Sequence, residues 1–337
     1  MKKALSAILF VAMLSVLCSC SKTEKRYTAT SFDYFDTVTN IVGYAASEEE
    51  FDNTKNYIFS ELEKYHRLYD IYNSYDGITN IKTINGSRSP VKVDGDIINL
   101  IEYGKNIYSL TDGKTNIAMG AVLSIWHDCR EDGTRLPERK ELLYASEHCN
   151  PDDIVIDKAS GTVFLSDEEM SIDVGALAKG YAAEMVAASL RKKGISGYLI
   201  SIGGNVCAVG AKPDGKQWTV GIEDPFGDGF SETVGVCDMS VVTSGSYQRY
   251  FELDGVRYHH IIDPDTLMPA NNFVSVTVIA DNSALADALS TALFNMDIDK
   301  GKALVASIEN TYAMWVTQDG EKIYSQGFEG FVSKAAK

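Results

Sequence analysis

The sequence is poor in positive charge, and this shortage limits the partners that the protein can have. Its 31 Lys and Arg residues are outnumbered by 47 Asp and Glu residues, which leaves a formal net charge of −16 at pH 7. Binding to nucleic acid requires a basic face that neutralises phosphates, so this balance argues against a nucleic-acid partner. An acidic surface also does not favour direct attachment to anionic lipid.

The common nucleotide-binding loops are missing as well. The chain has no GxxxxGK[ST] loop, and its paired glycines at 203–204 do not form a GxGxxG fingerprint. No internal repeat, low-complexity segment or Pro/Gly-rich linker divides the 337 residues. Hydrophobic residues make up 45% and charged residues 23%, which is typical of a globular protein with a sizeable core. We therefore expect two closely packed lobes rather than domains joined by a flexible linker.

Cysteine is present, but not in a zinc-binding pattern. Two of the six cysteines lie in the N-terminal stretch, and the others are Cys129, Cys149, Cys207 and Cys237. The spacing of these four fits no zinc motif. Two interpretations stay open: Cys129 and Cys149 form a disulfide in an oxidising compartment, or all four are unpaired and mostly buried thiols.

The N-terminus carries an apolar run that is too short for a transmembrane span. Lys2 and Lys3 precede the apolar residues 4–17, which end in a Leu, and the small residue Ser19 stands just before Cys20. This ending resembles a lipobox, in which Cys20 is lipidated after cleavage; an ordinary secretory signal is the alternative. We expect a signal peptide at 1–19, a polar tether at 20–30 and a folded domain at 31–337.

Hydrophobic periodicity predicts a mixed α+β chain with mostly antiparallel strands. Helices are predicted at 48–66, 97–110, 174–194 and 284–295, with Gly194 closing the third and Ser283 capping the fourth. Strands are predicted at 31–43, 197–202, 218–222, 249–251, 257–261, 273–280, 312–316 and 322–324.

Residues 173–180 combine an acid, a glycine turn and a predicted helix start. The free N–H groups at a helix start favour anions, and Lys179 adds a positive charge within one turn of that end. The segment therefore suits a phosphate or a pyrophosphate. The alternative is that Asp173 is an ordinary helix cap.

Two further segments have the chemistry of a cleft. The paired glycines in 201–205 let the backbone approach a ligand closely, or else they form a tight turn between strands. Residues 259–264 place two His and an Asp at the end of a strand, before a proline. His260 can act there as an acid or base or stack on a ring, although an ordinary strand end with an Asx-type turn is equally compatible.

The segment 284–294 is almost entirely Ala and Leu, which predicts a helix that is buried nearly all round. Asp287 and Thr291 are four residues apart and so share one face of this helix. A buried carboxylate is costly unless a positive group meets it. Carboxylate and hydroxyl oxygens are ligands of the type that magnesium takes together with substrate phosphates. The alternative is that Thr291 and nearby N–H groups simply satisfy Asp287.

Together these segments resemble the ApbE family, the FAD:protein FMN transferases. The resemblance runs from about Tyr34 to Phe328, and it lies in the order and spacing of blocks at 35–37, 75, 113–126, 173–181, 201–205, 212–225, 243–245, 258–264 and 286–292. It implies an ApbE-like, T-fold-related α+β fold with a ligand cleft between the two lobes.

The resemblance also implies which residues bind the substrate and the metal. Asp287, Thr291 and the backbone carbonyl of Ala176 are expected to hold Mg²⁺ at the pyrophosphate of FAD. The expected FAD contacts are Phe35, Tyr75, Lys114, Thr115, Asn116, Asp173, Lys179, His260 and Ile262. The sequence departs from the family pattern at 114–118, where the usual Ala-Phe-Asp-Pro-Thr is replaced, and at Phe35-Asp36, Leu267 and Ala284.

The implied reaction is the attack of a Thr or Ser hydroxyl of an acceptor protein on the FMN-side phosphorus of FAD, with AMP leaving. His260 is the expected base. The implied acceptors are exported flavoproteins of membrane electron-transfer complexes, which suits an enzyme that is lipid-anchored on the outer face of the cell membrane or on its periplasmic side. Two alternatives remain: a pyrophosphatase that splits FAD into FMN and AMP, and a non-catalytic flavin-binding lipoprotein.

Overall fold

The computed structural model describes residues 24–333. The expected signal peptide at 1–19 and the lipidation site Cys20 lie outside these residues. The expected tether at 20–30 is wrong for its last six residues, because strand β1 spans Lys25–Tyr34. Tyr27, Ala29 and Ser31 face the protein while the residues between them are exposed, and because Ala29 and Ser31 are small this alternation carries little hydrophobic signal.

The first predicted strand, at 31–43, is in fact the middle of a β-hairpin. Strand β1 pairs antiparallel with β2, Thr37–Ala45, from Lys25 opposite Ala45 to Tyr34 opposite Thr37. The turn between them is Phe35-Asp36, and both residues have positive φ angles, 55° and 50°. Such turns usually carry Asn or Gly, and neither occurs at these two positions, so no local pattern indicates this turn.

The helices include all four that were predicted, with shifted ends. They are α1 Glu48–Tyr69, α2 Ile81–Asn85, α3 Gly95–Leu110, α4 Gly120–Asp132, α5 Arg139–Ser146, α6 Ala178–Lys192, α7 Ser283–Phe294 and α8 Ile298–Ala306. Short 3₁₀ helices lie at Pro151–Asp153 and Phe328–Phe331. Helix α6 starts four residues later than predicted, and the side chain that caps α7 is Asn282, which accepts from the Leu285 N–H, rather than Ser283.

The remaining strands follow the predicted positions closely where a prediction was made. They are β3 Val91–Lys92, β4 Ile154–Asp157, β5 Thr162–Leu165, β6 Tyr198–Ile202, β7 Asn205–Val209, β8 Trp218–Glu223, β9 Phe230–Val236, β10 Ser240–Gly245, β11 Tyr250–Leu253, β12 Val256–His259, β13 Ser275–Ala280, β14 Thr311–Val316 and β15 Lys322–Tyr324. The turn at Asp254-Gly255 joins β11 and β12 as expected.

One eight-stranded sheet organises the chain, in the order β1-β2-β6-β7-β10-β13-β14-β15. Neighbouring strands within it pair antiparallel, including the central pair β7 and β10. Smaller sheets are formed by β3-β5-β4, β8-β9 and β11-β12. The expected mixed α+β fold with mostly antiparallel sheets is confirmed.

Each half of the main sheet has its own core. Helices α1 and α6 pack with β2 and β6 around residues such as Ile58 and Ile200. Helix α7 packs with β13 and β14 around Leu289 and Val276. A third cluster, which includes Val234, covers the sheet with β8 and β9. The junction of the two halves is the pair of strands β7 and β10, and the site described below lies there.

The cysteines resolve one open question. Within residues 24–333, Cys129, Cys149, Cys207 and Cys237 are all free, so the interpretation with a disulfide between Cys129 and Cys149 is wrong and the one with unpaired thiols holds. Two of them, Cys129 and Cys207, are fully buried, so their thiols pack as small apolar side chains and are not exposed to reactants. Within residues 24–333, no helix is both long and apolar enough to cross a membrane.

Candidate functional site: a cavity at the junction of the sheet halves

A cavity of about 480 Å³ opens at the junction of the two sheet halves. Asn205 of β7 and Val242 of β10 are register partners, and both line it. The cavity also brings together most of the residues that sequence reasoning singled out: Phe35, Lys114, Thr115, Asn116, Asp173, Ala176, Lys179, His260, Ile262, Asp287 and Thr291.

Asp287 lies in this cavity because helices α6 and α7 approach each other closely. A Cβ atom on Gly180 would lie 2.3 Å from Asp287 Cβ and 2.4 Å from the Ser283 carbonyl, so only glycine fits at this crossing. The Gly180 N–H donates to Asp287 Oδ2 over 2.7 Å. Lys179 Nζ lies 3.9 Å from the same oxygen. The Asp287 carboxylate is therefore held through its Oδ2 atom by these two groups.

The charge on Asp287 is not fully compensated by these contacts. Burial raises the pKa of Asp287, and Lys179, the Gly180 N–H and the Asn205 side chain only partly oppose this shift. A buried carboxyl group whose pKa remains raised lacks positive charge in its surroundings. A divalent cation held by Asp287 and the Thr291 hydroxyl, one helical turn away, would supply that charge.

The segment before α6 forms a compact turn rather than the first turn of the helix. Asp173 Oδ1 accepts from the Gly175 N–H over 2.7 Å, and Lys179 Nζ donates to the Gly175 carbonyl over 3.4 Å. Burial raises the pKa of Asp173, while Gly175, His127 and Lys179 oppose the shift. Because α6 begins at Ala178, Asp173 is not its cap and instead shapes the cavity-facing loop that contains Ala176.

The loop 114–116 is tied into the fold through its polar side chains. Lys114 Nζ pairs with Asp263 Oδ1 at 2.7 Å and with Asp265 Oδ2 at 2.8 Å. The Thr115 hydroxyl donates to the Ala288 carbonyl of α7 over 2.9 Å. The Asn116 Nδ2 group donates to the Cys149 carbonyl, also over 2.9 Å. In the segment that departs from the family pattern, these side chains therefore bond the cavity wall to neighbouring parts of the fold.

His260 is a neutral imidazole with a defined orientation. Its Nδ1 lies 3.2 Å from the Arg249 carbonyl, which can only accept, so Nδ1 carries the proton and Nε2 keeps its lone pair. Partial desolvation in the cleft lowers the pKa of His260, although the side chain keeps some contact with solvent, and the Arg249 carbonyl opposes this shift. The neighbouring His259 is committed to the fold, because Nε2 donates to the Ala270 carbonyl over 2.7 Å.

Phe35 and Tyr75 occupy different positions relative to the cavity. Phe35 lines the wall, and its N–H donates to His66 Nδ1 over 3.1 Å. Tyr75 lies behind the wall, where its hydroxyl donates to Asp70 Oδ2 over 2.7 Å and lies 3.3 Å from His66 Nε2. Burial, followed by the bond to Asp70, raises the pKa of Tyr75 to about 12. A direct flavin contact of Tyr75 stays a prediction.

Sequence reasoning missed a group of residues at the rim. Tyr72 and His127 have ring centroids 5.2 Å apart, and Arg130 Nη2 lies 2.6 Å from His127 Nδ1. All three line the cavity. The only sequence indication was the spacing of three between His127 and Arg130, which places both on one face of α4.

The residues fit magnesium better than a metal with several protein ligands. No cluster of three or more His, Cys, Asp or Glu side chains that could hold a metal occurs in the described part of the chain. Zinc and iron sites need such clusters, whereas magnesium is commonly held by one or two carboxylates together with water and substrate phosphates. One carboxylate, one hydroxyl and a nearby lysine match that second pattern.

The fold and the cavity define a class of protein: a mixed α+β chain with a small-molecule site that combines an acid–hydroxyl pair, a lysine and a glycine turn. Comparison with known sequences names the family. A sequence model of the ApbE family matches residues 35–315, so the chain belongs to the ApbE family. The family expected from the sequence blocks is confirmed.

Individual relatives agree with this assignment. A FAD:protein FMN transferase of Klebsiella pneumoniae (strain 342) is 33% identical over 271 residues, covering 80% of this chain and 83% of that protein. The FAD:protein FMN transferase of Treponema pallidum (strain Nichols) is 36% identical over 247 residues, covering 68% of each chain. The crystal structure of the ApbE protein of Thermotoga maritima has a TM-score of 0.82 at 29% identity, covering 92% of this chain and all of that one (100%).

Proposed function

We propose that this chain transfers the FMN moiety of FAD onto a Thr or Ser hydroxyl of an acceptor flavoprotein, depends on Mg²⁺ and releases AMP. Flavin transfer follows from membership of the ApbE family and from relatives named FAD:protein FMN transferase. The magnesium dependence is supported by the oxygen ligands in the cavity, and the release of AMP follows from the balance of the reaction, since FAD without its FMN half is AMP. The observation that carries the proposal is the buried, incompletely compensated Asp287 beside Thr291.

Magnesium would be held by Asp287, Thr291 and the carbonyl of Ala176. When bound, it would neutralise charge on the pyrophosphate, which is the main requirement of phosphoryl transfer. The Gly180 N–H orients the Asp287 carboxylate, and Lys179 adds a fixed positive charge at the same place. Magnesium and Lys179 would polarise the phosphates without taking part in bond formation, and the Gly180 N–H acts only through Asp287.

The bond changes are simple. The acceptor oxygen forms a bond to the FMN-side phosphorus, the P–O bond to the AMP half breaks, and AMP leaves with the electron pair. The hydroxyl proton must go to a base, and His260 suits this step because it is neutral and its Nε2 lone pair is free. Holding Nδ1 on the Arg249 carbonyl fixes the ring for that transfer.

Replacing Asp287 tests the proposal. Asp287→Asn keeps an oxygen for the Gly180 N–H but removes the negative charge, so FMN transfer should fall about 100-fold or more, which corresponds to about 3 kcal/mol in the barrier. The measurement is mass spectrometry of a co-incubated acceptor, looking for added FMN, together with AMP release. Asp299→Asn, on the exposed face of α8, is the matched control and should transfer normally.

Three outcomes of this experiment separate the candidate functions. Full transfer by Asp287→Asn in the presence of magnesium would remove Asp287 from the reaction. Rapid AMP release without an acceptor, and no labelled acceptor, would favour the pyrophosphatase. FAD binding with neither product would identify a non-catalytic flavin-binding protein.

Attachment to the membrane through a lipid on Cys20 is a separate proposal. It is supported by the lipobox-like residues that follow the apolar run. Cys20→Ala should release the protein from the membrane fraction of the producing cells and abolish incorporation of labelled palmitate. Cys18→Ala, two residues earlier, is the control and should stay anchored. Equal membrane association of both variants would contradict the proposal.

A further inference from the structure

A buried amide stands next to Asp287 and has no role in the reaction described so far. Asn205 opens strand β7, is 1% exposed and lies on the cavity wall. Its Oδ1 accepts from the Ser283 hydroxyl over 2.8 Å. The opposite amide orientation would turn Oδ1 toward the carboxylate of Asp287, which is electrostatically unfavourable. The Ser283 bond therefore directs Nδ2 toward Asp287.

The position of Gly180 shows how close the two side chains are. A Cβ atom on Gly180 would lie 2.3 Å from Asp287 Cβ and 2.9 Å from Asn205 Nδ2, so both side chains border the same small space. Asn205 Nδ2 is buried and forms no hydrogen bond of good geometry within residues 24–333. A buried donor without a partner is unfavourable, and such groups in native proteins commonly have a functional explanation.

The Asn205 amide is also connected, through Ser283, to further buried polar groups. The Ser283 N–H donates to Glu184 Oε2 over 2.7 Å, and Glu184 Oε1 lies 3.0 Å from Arg191 Nη1. Glu184 and Ser283 are buried, at 6% and 0% exposure. The result is a continuous polar chain from α6 through the start of α7 to Asn205. This chain fixes the amide relative to both helices that form the acid–hydroxyl site.

We propose that Asn205 is a positioning residue for Asp287, oriented by Ser283, which restrains the carboxylate so that one oxygen stays directed into the cavity. The inference rests on the proposed function, since the restraint matters only if Asp287 holds a divalent cation. The Gly180 N–H holds Oδ2, and Asn205 Nδ2 borders the same small space as the Asp287 side chain, so it is placed to act as a second donor when the carboxylate holds a cation. Partners of metal-ligating carboxylates act in this way in many metal sites.

The test is the affinity for Mn²⁺, used as a spectroscopic substitute for Mg²⁺. Asn205→Leu has nearly the same size but no donor, so the dissociation constant for Mn²⁺, measured by electron paramagnetic resonance with FAD present, should rise about 10- to 100-fold. Affinity for FAD in EDTA should change less than twofold, as judged by flavin fluorescence. A purely structural role would lower the melting temperature and leave Mn²⁺ affinity unchanged.

Two other variants sharpen the result. Ser283→Ala frees the amide to rotate, so it should weaken Mn²⁺ binding in the same direction, and the double variant should be less than additive. This variant keeps the test valid if Asn205→Leu does not fold. Thr39→Val is the matched control, because Thr39 is also fully buried with an unpaired hydroxyl but does not line the cavity. It should bind Mn²⁺ normally.

The outcomes separate this inference from the proposed function. Wild-type affinity for Mn²⁺ in folded Asn205→Leu or Ser283→Ala would overturn the positioning role. Weakened Mn²⁺ binding in these variants, with a wild type that transfers no FMN, would support the positioning role and overturn the proposed function. A wild type that binds no Mn²⁺ would overturn both.

Discussion

Burial raises the pKa of the Asp287 carboxyl group and nearby positive groups lower it, and the effect of burial is the larger one. Sequence alone identified this residue, because an acid in an Ala/Leu-rich helix needs a compensating partner. It could not identify Gly180 and Asn205 as neighbours, since they are 107 and 82 positions away along the chain (287 − 180 and 287 − 205). Contacts of that kind depend on how α6 and α7 cross.

His260 gives the prediction that belongs to this scale. Since its pKa is lowered, the base form predominates at neutral pH and is lost only when the pH falls below the ordinary range of histidine. The profile of kcat/KM against pH should therefore show no inflection near 6.5, the ordinary value for histidine. His260→Gln should lower kcat about 10²- to 10⁴-fold, the usual contribution of a general base.

The control is His259→Gln, which changes a residue bonded to the Ala270 carbonyl and should act mainly on stability. An unchanged kcat in His260→Gln, or an inflection near 6.5 that the variant removes, would refute this account of the base. The kcat values of the two variants are measured with saturating FAD and a purified acceptor.

Among the secondary-structure elements, the β1–β2 hairpin shows what sequence patterns could not supply. Its turn places Phe35 and Asp36 in the left-handed region without glycine or asparagine, and the Phe35 N–H is held by His66 of α1. Helices α1, α3, α6 and α7 were predictable because their apolar periodicity extends over several turns. The turn and the late start of α6 were not, because specific side-chain bonds to distant or local backbone groups determine them.

The hairpin leads to a prediction with a matched pair of variants. His66→Phe keeps a ring against Phe35 but removes the acceptor for its N–H, which should cost about 1 kcal/mol of stability and raise the KM for FAD several-fold, with little change in kcat. His66→Asn retains an oxygen near the position of Nδ1 and should stay closer to the wild type. The measurements are urea denaturation and steady-state kinetics.

Identical KM values in His66→Phe and the wild type would show that the strained turn holds its position without the histidine. An equal loss of stability and an equal rise in KM in both variants would mean that the imidazole ring itself, and not its hydrogen-bond acceptor, supports the turn. Either result would leave Phe35 as an ordinary wall residue.

On the scale of the whole molecule, the site exists because parts of the chain that are far apart in sequence meet where the two sheet halves join. Among these parts are the β1–β2 turn, the loop 114–116, the turn 173–179, the strand end at 260–262 and helix α7. Sequence patterns predicted the fold class, and the block order identified the family, but neither shows which segments become neighbours. The antiparallel pairing of β7 with β10 brings Asn205 opposite Val242 and so creates the junction.

In the proposed reaction, an acid and a hydroxyl on α7 hold a divalent cation against the pyrophosphate of FAD. Anomalous diffraction from crystals soaked with FAD and Mn²⁺ tests it directly. The account predicts one strong peak in the cavity, about 2.0–2.2 Å from oxygens of Asp287 and Thr291 and next to the phosphates, since hard cations bind oxygen at such distances. A peak elsewhere in the protein, or FAD bound in the cavity with Asp287 and Thr291 turned away from any metal, would contradict it.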